Sequence, residues 1–346
     1  MSKRNSILRN SIIASLAVIS FIISVTFYKG KWIGNENHYF EIYFVFLVQR
    51  FFITTGVAGC IIVSTILLQK FIKNPIAEPS LLGISQVNFI TYTLIFLISK
   101  PFFINIFMTK NISSTILQFI IYFTFSTFIV FFIIWFTKNL KTKYIVIIGI
   151  IFNILFSVAT IILLKKFNFE DGDFYVIYSK MVGNFVPAEF ADKFWIINVP
   201  KFLAIVSNLT TIIGISLIKF FNYRIAKNEL LVGRFGITNN RRFITRLLLV
   251  VGISFYSVIA FMMVGILSFF AIGIILLAKI IFGYSSEKHI FAIYFIAIIL
   301  LTNIDFTIEN FIFPNLNIEV PKGLFASMVA IPILLFSLIK KEVTND

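Results

Sequence analysis

Charged residues are scarce in this sequence. They make up 13% of its 346 residues, whereas about a quarter is usual for soluble domains, and 59% of the residues are hydrophobic. The mean hydropathy is +0.98. These values exclude a soluble globular domain and predict that lipid is the solvent of the fold.

Cysteine and acidic residues are scarce as well. The one cysteine, Cys60, lies in an apolar run, so neither a disulfide framework nor a cysteine metal cluster is available within the chain. There are 15 Asp and Glu against 30 Lys and Arg, which gives a formal net charge of +15. In a membrane protein such basic residues gather in cytoplasmic loops, where they also meet anionic membrane lipid. We therefore expect no nucleic-acid partner.

Residues that catalytic and metal sites require are missing or scattered. No G-x-x-x-x-G-K-[ST] phosphate loop is present, because the only Gly-Lys pair, Gly30-Lys31, precedes Trp32. The two histidines, His38 and His289, fall in stretches that the predicted topology places on opposite sides of the membrane. The chain is therefore predicted to be no enzyme, to hydrolyse no ATP itself and to hold no metal.

Ten apolar stretches approach the length of about 20 residues that a transmembrane helix requires. They lie near residues 11–27, 47–69, 84–99, 113–136, 144–164, 202–221, 244–264, 266–283, 289–306 and 323–339. The first follows a basic N-terminus without a cleavage site, which predicts an uncleaved helix. The sequence thus predicts an all-α polytopic membrane protein, with residues 1–346 forming a single transmembrane domain of about ten helices.

The basic residues also predict the orientation. If the N-terminus is cytoplasmic, the cytoplasmic loops hold most of the Lys and Arg and the outer loops most of the Asp and Glu, as the positive-inside rule requires. Both termini are therefore expected in the cytoplasm. The polar segment 165–201 is expected to cap the outer mouth, because long loops in compact folds are usually functional.

The most informative pattern follows the second apolar stretch. An apolar helix ends near Gln69, and residues 74–83 then read NPIAEPSLLG; we call them the proline segment. Pro75 and Pro79 lack N–H donors and turn the preceding residue away from helix, so the backbone is predicted to break at the cytoplasmic end of this span. Broken backbone at that depth requires burial in protein or a water-filled cavity. An ordinary loop is the alternative.

In this stretch the sequence resembles the FecCD-type permease family of iron-siderophore, heme and vitamin B12 ABC importers. That family has an arginine opening the second helix, then Gln and Asn-Pro-Leu-Ala-Asp/Glu-Pro-x-x-Leu-Gly-x-Ser. The match is ungapped and is carried by Arg50, Gln69, Asn74, Pro75, Ala77, Glu78, Pro79, Leu82, Gly83 and Ser85. So long a spaced pattern is specific.

Two later stretches extend the resemblance over most of residues 45–340. The stretch from Gly265 to Gly283 resembles the family's Gly-Pro-Ile-x-Phe-x-Gly-Leu-x-x-Pro-His-x-x-Arg, and residues 319–323 resemble its Glu-Leu-Pro-Val-Gly through Glu319, Pro321 and Gly323. The departures are Ile275 and Leu276 for Pro-His, Lys279 for Arg and Ala330 for Gly. They mark a divergent member.

The resemblance implies a type II ABC importer permease in the bacterial cytoplasmic membrane. Its partners would be a second permease subunit of the same or another sequence, two ATP-binding subunits that hold ATP and Mg, and an extracytoplasmic substrate-binding protein. The chain itself would hold no cofactor. Its cargo would be an iron chelate such as a ferric siderophore, with heme or cobalamin as the alternative.

Coupling to the ATPase is assigned through the same resemblance. The family places a short cytoplasmic helix pair between the sixth and seventh spans, which corresponds to the loop of residues 222–246. The residues at its core are Asn228, Glu229, Leu230, Leu231, Phe235 and Gly236. The apolar members can dock into a groove of an ATPase, although plain positive-inside charge is the alternative reading of this loop.

The transport pathway would lie where the family places its second helix. That helix carries a polar, uncharged run of Thr54, Thr55, Ser64, Thr65 and Gln69. Hydroxyls on a span more often bond to backbone or to a neighbouring helix than face a pore. Arg50 and the outer lysines are expected to be solvated or to meet acidic residues of a binding protein.

Two other classes remain as alternatives. A polytopic membrane enzyme needs acidic or histidine pairs at membrane depth, for which Asp305 with Glu309 is the main candidate near a span. An ion-coupled secondary transporter needs inverted repeats around broken midplane helices, and no clear internal repeat is visible.

Overall fold

The computed structural model describes residues 3–28, 31–32, 40–102, 112–136, 142–166, 199–235, 240–282, 289–312 and 322–343. Within them lie ten α-helices. These are α1 (Lys3–Thr26), α2 (Phe40–Ile72), α3 (Ile84–Phe102), α4 (Ile112–Phe136), α5 (Thr142–Lys166), α6 (Val199–Phe235), α7 (Asn240–Val264), α8 (Phe270–Phe282), α9 (Ile290–Thr307) and α10 (Lys322–Val343).

Four short elements complete the described secondary structure. A 3₁₀ helix, Pro79–Leu82, lies between α2 and α3, and a π-helical turn, Ile308–Ile312, extends α9. Two-residue strands, β1 (Phe27–Tyr28) and β2 (Lys31–Trp32), pair in antiparallel fashion. The predicted all-α class is confirmed, because everything else regular in these ranges is helical.

Six helices are long and apolar enough to cross a membrane: α2, α4, α5, α6, α7 and α9. The apolar parts of α1, α3, α8 and α10 are shorter. The coarse prediction of a polytopic membrane protein is therefore confirmed, whereas a count of ten spans and the cytoplasmic position of both termini stay predictions. Most of the expected outer cap, residues 165–201, lies outside the described residues.

The helices group into two compact units. The first holds α1, α2 up to Ile62, α6 up to Asn208, and α8 to α10. In it α8 packs on α10 and α9, and α1 packs on α9. A Cβ at Gly273 of α8 would lie 2.8 Å from the Cβ of Ala330 on α10, so this glycine allows the two helices to approach closely. Close packing thus persists although Ala330 replaces the family's glycine.

The second unit holds α2 from Val63, α3 to α5, α6 from Leu209, and α7 up to Met262. Here α3 packs on α4 and α5, and the 3₁₀ helix packs on α5 and α3. Ser126 of α4 donates a hydrogen bond to Asn88 of α3, both fully buried. Such buried polar pairs join helices in a lipid environment, where hydrophobic burial cannot do so alone.

Candidate functional site

The backbone breaks after α2, as the prolines predict, although the helix continues past Gln69 to Ile72. Lys73 then takes a left-handed conformation, with φ of 55°. The Asn74 backbone N–H donates to the Gln69 carbonyl at 3.2 Å, and the Asn74 side-chain oxygen accepts the Ile76 N–H at 3.0 Å. Asn74 therefore closes the helix end with its backbone N–H and starts the following turn with its side chain, the latter a common role of asparagine.

Other motif residues of the proline segment also act on backbone. Gln69 Nε2 donates to the Pro75 carbonyl at 2.8 Å and so ties the segment back to α2. Pro79 occupies the first turn of the 3₁₀ helix, where its missing N–H costs nothing. Gly83 closes that helix with φ of 75°, a conformation that favours glycine.

Irregular backbone in a membrane protein has to be buried in protein or line a water-filled cavity, and much of the proline segment is buried. Ala77, Glu78, Pro79 and Leu82 are buried, whereas Ile76 is 36% exposed. From Ala77 onward the segment is therefore an internal structural element, whereas Pro75 and Ile76 form an exposed turn at the surface of the unit.

An ion cluster of Arg50, Asp305 and Lys322 lies within the first unit. Arg50 Nη2 lies 2.6 Å from Asp305 Oδ1 and its Nε 2.6 Å from Oδ2, while Lys322 Nζ lies 2.7 Å from Oδ1. The three residues are only 8–9% exposed. The expectation that Arg50 is a solvated outer charge is thus wrong, because a carboxylate on α9 draws it into the protein.

The cluster also bears on the enzyme alternative. Asp305, the main candidate of that alternative, forms ion pairs with Arg50 and Lys322 and so joins helices within the first unit. Sequence reasoning missed Lys322 as a member. An acid near a span indicates a cation partner, but not which of the basic residues supplies it.

The hydroxyls of α2 are buried in protein. Thr54 Oγ1 donates to the Arg50 carbonyl, and Thr55 Oγ1 to Phe52 O and to Asn208 Oδ1, each at 2.9 Å. Thr65 is fully buried, and its hydroxyl has no hydrogen-bond partner in the described structure. A pore-facing role for this run stays a prediction.

A second break separates α7 from α8 with almost no loop. Residues 265–269 are not helical, and Gly265 and Phe269 have φ of 88° and 63°. Ser327 Oγ of α10 donates to the Ser268 carbonyl at 2.7 Å and to the Gly323 carbonyl at 2.9 Å. Gly265 thus supplies a positive φ in the break. Buried Gly323 lies in the first turn of α10, the helix whose Ser327 bonds to the break. Glu319 and Pro321 lie outside the described residues.

The predicted coupling residues lie on the last turns of α6. This helix runs without interruption from Val199 to Phe235, whereas a separate short helix pair was expected there. The sequence explains the difference, because residues 222–235 contain no proline and one glycine, Gly233, so nothing stops the helix. Asn228, Glu229, Leu230, Leu231 and Phe235 are on this helix, and Gly236 lies outside the described residues.

Two residues that contact the proline segment were not predicted. Gly149 and Asn153 of α5 lie against the 3₁₀ helix, with Asn153 Nδ2 donating to the Ser80 carbonyl at 3.3 Å. An asparagine in the middle of an apolar span was the only sequence signal. Among the described residues, no group of three or more His, Cys, Asp or Glu could hold a metal ion.

Comparisons with known proteins agree with these features. Residues 7–340 match the model of the FecCD transport family. A solved structure described as an inward-facing conformation of a metal-chelate type ABC transporter is similar, with a TM-score of 0.69 and 16% identity over 96% of this chain and 98% of that one. No curated protein sequence matches. Because the family match covers nearly the whole chain, this protein belongs to the FecCD transport family.

Proposed function

We propose that this protein is the membrane-spanning permease subunit of an ABC importer that carries a metal chelate across the bacterial cytoplasmic membrane. The observation that carries the proposal is the proline segment, folded as a buried break at the end of α2 in a chain of the FecCD transport family. The similar solved structure supports it, because that protein is described as a metal-chelate type ABC transporter.

Its partners follow from the same proposal. Two ATP-binding subunits dock in the cytoplasm, a second permease subunit completes the pathway, and a binding protein delivers cargo from outside. The apolar span in α6 ends at Phe221, and the helix continues to Phe235. These further residues extend roughly 20 Å, at about 1.5 Å per residue. That distance supports an ATPase contact at Asn228, Glu229, Leu230, Leu231, Phe235 and Gly236.

The cargo we propose is an intact iron chelate, a ferric siderophore in the first instance. The described residues offer no cluster that could strip and hold a bare metal ion. Heme and cobalamin are the alternatives, and both are also intact chelates of a metal.

Reconstitution tests this function directly. The chain is placed in proteoliposomes with its cognate ATPase and binding protein, and ATP-dependent uptake is measured for a labelled ferric siderophore, heme and cobalamin in parallel. We expect uptake of the siderophore that stops when the ATPase carries a defective phosphate loop. Uptake by the chain without any ATPase would overturn the proposal, and preferred uptake of heme or cobalamin would reassign the cargo.

A further inference from the structure

Helix α5 holds the proline segment by a close backbone contact. A Cβ at Gly149 would lie 2.7 Å from the Leu81 carbonyl oxygen and 2.8 Å from the Leu82 Cα. Both are backbone atoms, so neither can rotate away as a side chain could. Only glycine allows this approach, and the segment therefore sits in a notch of α5 whose shape the backbone fixes.

Asn153, one helical turn further along α5, adds a directed contact to this notch. Its side-chain amide donates to the Ser80 carbonyl at 3.3 Å, the same carbonyl that accepts the Gly83 N–H at 3.1 Å. Its backbone nitrogen would lie 3.2 Å from a Cβ at Gly83. The hydrogen bond sets the rotation of the 3₁₀ helix about its own axis, and the close backbone contact at Gly149 sets its distance from α5.

Much of the remaining surface of α5 is exposed within its unit. Only 11% of the span Ile147–Lys166 is buried. Gly149 and Thr160 are its buried positions, and Ile150, Ile151 and Ile154 are exposed. Helix α5 packs on the 3₁₀ helix as well as on α3 and α4. At Gly149 its contact with the 3₁₀ helix, which we call the seat of the proline segment, is made backbone to backbone. A shift of α5 has to move the segment, because packed backbone has no slack to absorb the displacement.

We propose that Gly149 and Asn153 are positioning residues that make α5 and the proline segment move as one body. This inference rests on the proposed permease function, in which the segment lies at the cytoplasmic end of the pathway. A shift of α5 during transport is then transmitted to the segment through these two residues. They contact no cargo and act through the position of the 3₁₀ helix.

Thiol labelling tests whether α5 holds the proline segment in place, and it does so without a transport measurement. In a Cys60→Ala background, Ile76→Cys places a thiol on the exposed turn of the segment, and its labelling rate is measured in native membranes. Asn153→Leu should raise that rate about threefold, since one interhelical hydrogen bond in a membrane has about that effect on an equilibrium. Gly149→Ala should raise it at least as much, because the added methyl group meets backbone atoms that cannot rotate away. Unchanged rates in both variants would overturn the proposal.

Two matched variants control for general damage. Gly252→Ala adds a methyl group in the same unit, but the nearest atom is a Leu67 side-chain carbon at 3.2 Å, which can shift. Asn303→Leu removes an amide from exposed Asn303 on α9. Both should leave the labelling rate at Ile76→Cys unchanged. A rise equal to that in the α5 variants would mean that the seat has no specific role.

A covalent tether then tests the movement itself. Asn153→Cys with Ser80→Cys, again in Cys60→Ala, removes the hydrogen bond and should slow uptake of the radiolabelled ferric siderophore relative to ATP hydrolysis. Linking the two thiols with a short bifunctional reagent should restore uptake if α5 and the segment move together. If the link stops the remaining uptake, they separate in each cycle and the proposal is wrong. Failure of the transport assay as a whole would instead count against the permease function, because the labelling result stands independently of it.

Discussion

The Arg50 guanidinium binds both oxygens of the Asp305 carboxylate, one through Nη2 and the other through Nε, each at 2.6 Å. Such a two-point contact is stronger and more directional than a single hydrogen bond. Lys322 joins the same carboxylate at 2.7 Å. Because the arginine is on α2, the aspartate on α9 and the lysine on α10, the ion cluster links three helices of the first unit.

Loss of the shared carboxylate should be the most damaging single change in this cluster. Asp305→Asn keeps the shape of the side chain but leaves two buried cations without their partner. We expect the free energy of unfolding to fall by about 3–5 kcal/mol. Lys322→Met should have a smaller effect, because the pair of Arg50 with Asp305 survives. Thermal unfolding in detergent measures both variants, and equal melting temperatures would contradict this account.

Gly83 should tolerate asparagine better than alanine. Its φ of 75° is a left-handed conformation that an alanine adopts at a free-energy cost of about 1–2 kcal/mol. Asparagine adopts the same conformation more readily, although its Cβ meets the same neighbour. Melting temperatures of Gly83→Ala and Gly83→Asn provide the comparison. If the two substitutions are equally damaging, crowding against Asn153 and not backbone conformation decides the residue at this position.

The contact between α8 and α10 should behave as a coupled pair. Gly273→Ala places a methyl group 2.8 Å from the Ala330 Cβ, and overpacking of this kind destabilises by about 1–3 kcal/mol. Ala330→Gly should restore much of that loss in the double variant. A double-mutant cycle of thermal stabilities measures the coupling. Purely additive effects of the two substitutions would show that the helices do not meet at this point.

Charge reversal at the end of α6 should separate ATP hydrolysis from uptake. Glu229→Arg should leave membrane insertion intact, abolish most ATP-dependent uptake and reduce stimulation of the ATPase by loaded binding protein, because a like charge placed opposite the cation that meets Glu229 is strongly unfavourable. Glu229→Gln, which only removes the charge, should have a milder effect. Both activities are measured on the reconstituted complex. Normal uptake with Glu229→Arg would remove this residue from the coupling role.

Local chemistry accounts for the parts of the fold that the sequence predicts well. Pro75, Pro79 and Gly83 each restrict or permit a particular backbone conformation, and the break after α2 follows from them. The position of Gly265 between two apolar stretches likewise anticipates the abrupt turn from α7 to α8. In both places a few neighbouring residues are sufficient to determine the conformation.

Contacts between distant residues were not predictable in the same way. Arg50 and Asp305 are 255 positions apart, and only packing of their helices shows that each supplies the other's counter-charge. Asn153 is similar, because one polar residue in an apolar span indicates some partner but not which one. The continuous helix through residues 222–235 differs again, since the family pattern predicts a helix pair there whereas local helix propensity favours one uninterrupted helix.

The sequence separation within the ion cluster has a consequence for biogenesis. Arg50 enters the membrane early in synthesis, but Asp305 emerges from the ribosome only 255 residues later, a delay of roughly 13–50 s at about 5–20 residues per second. During that interval the arginine has to remain hydrated near the lipid headgroups. We therefore expect a chain truncated before Asp305, which lacks this ion pair, to be degraded faster than one that includes it.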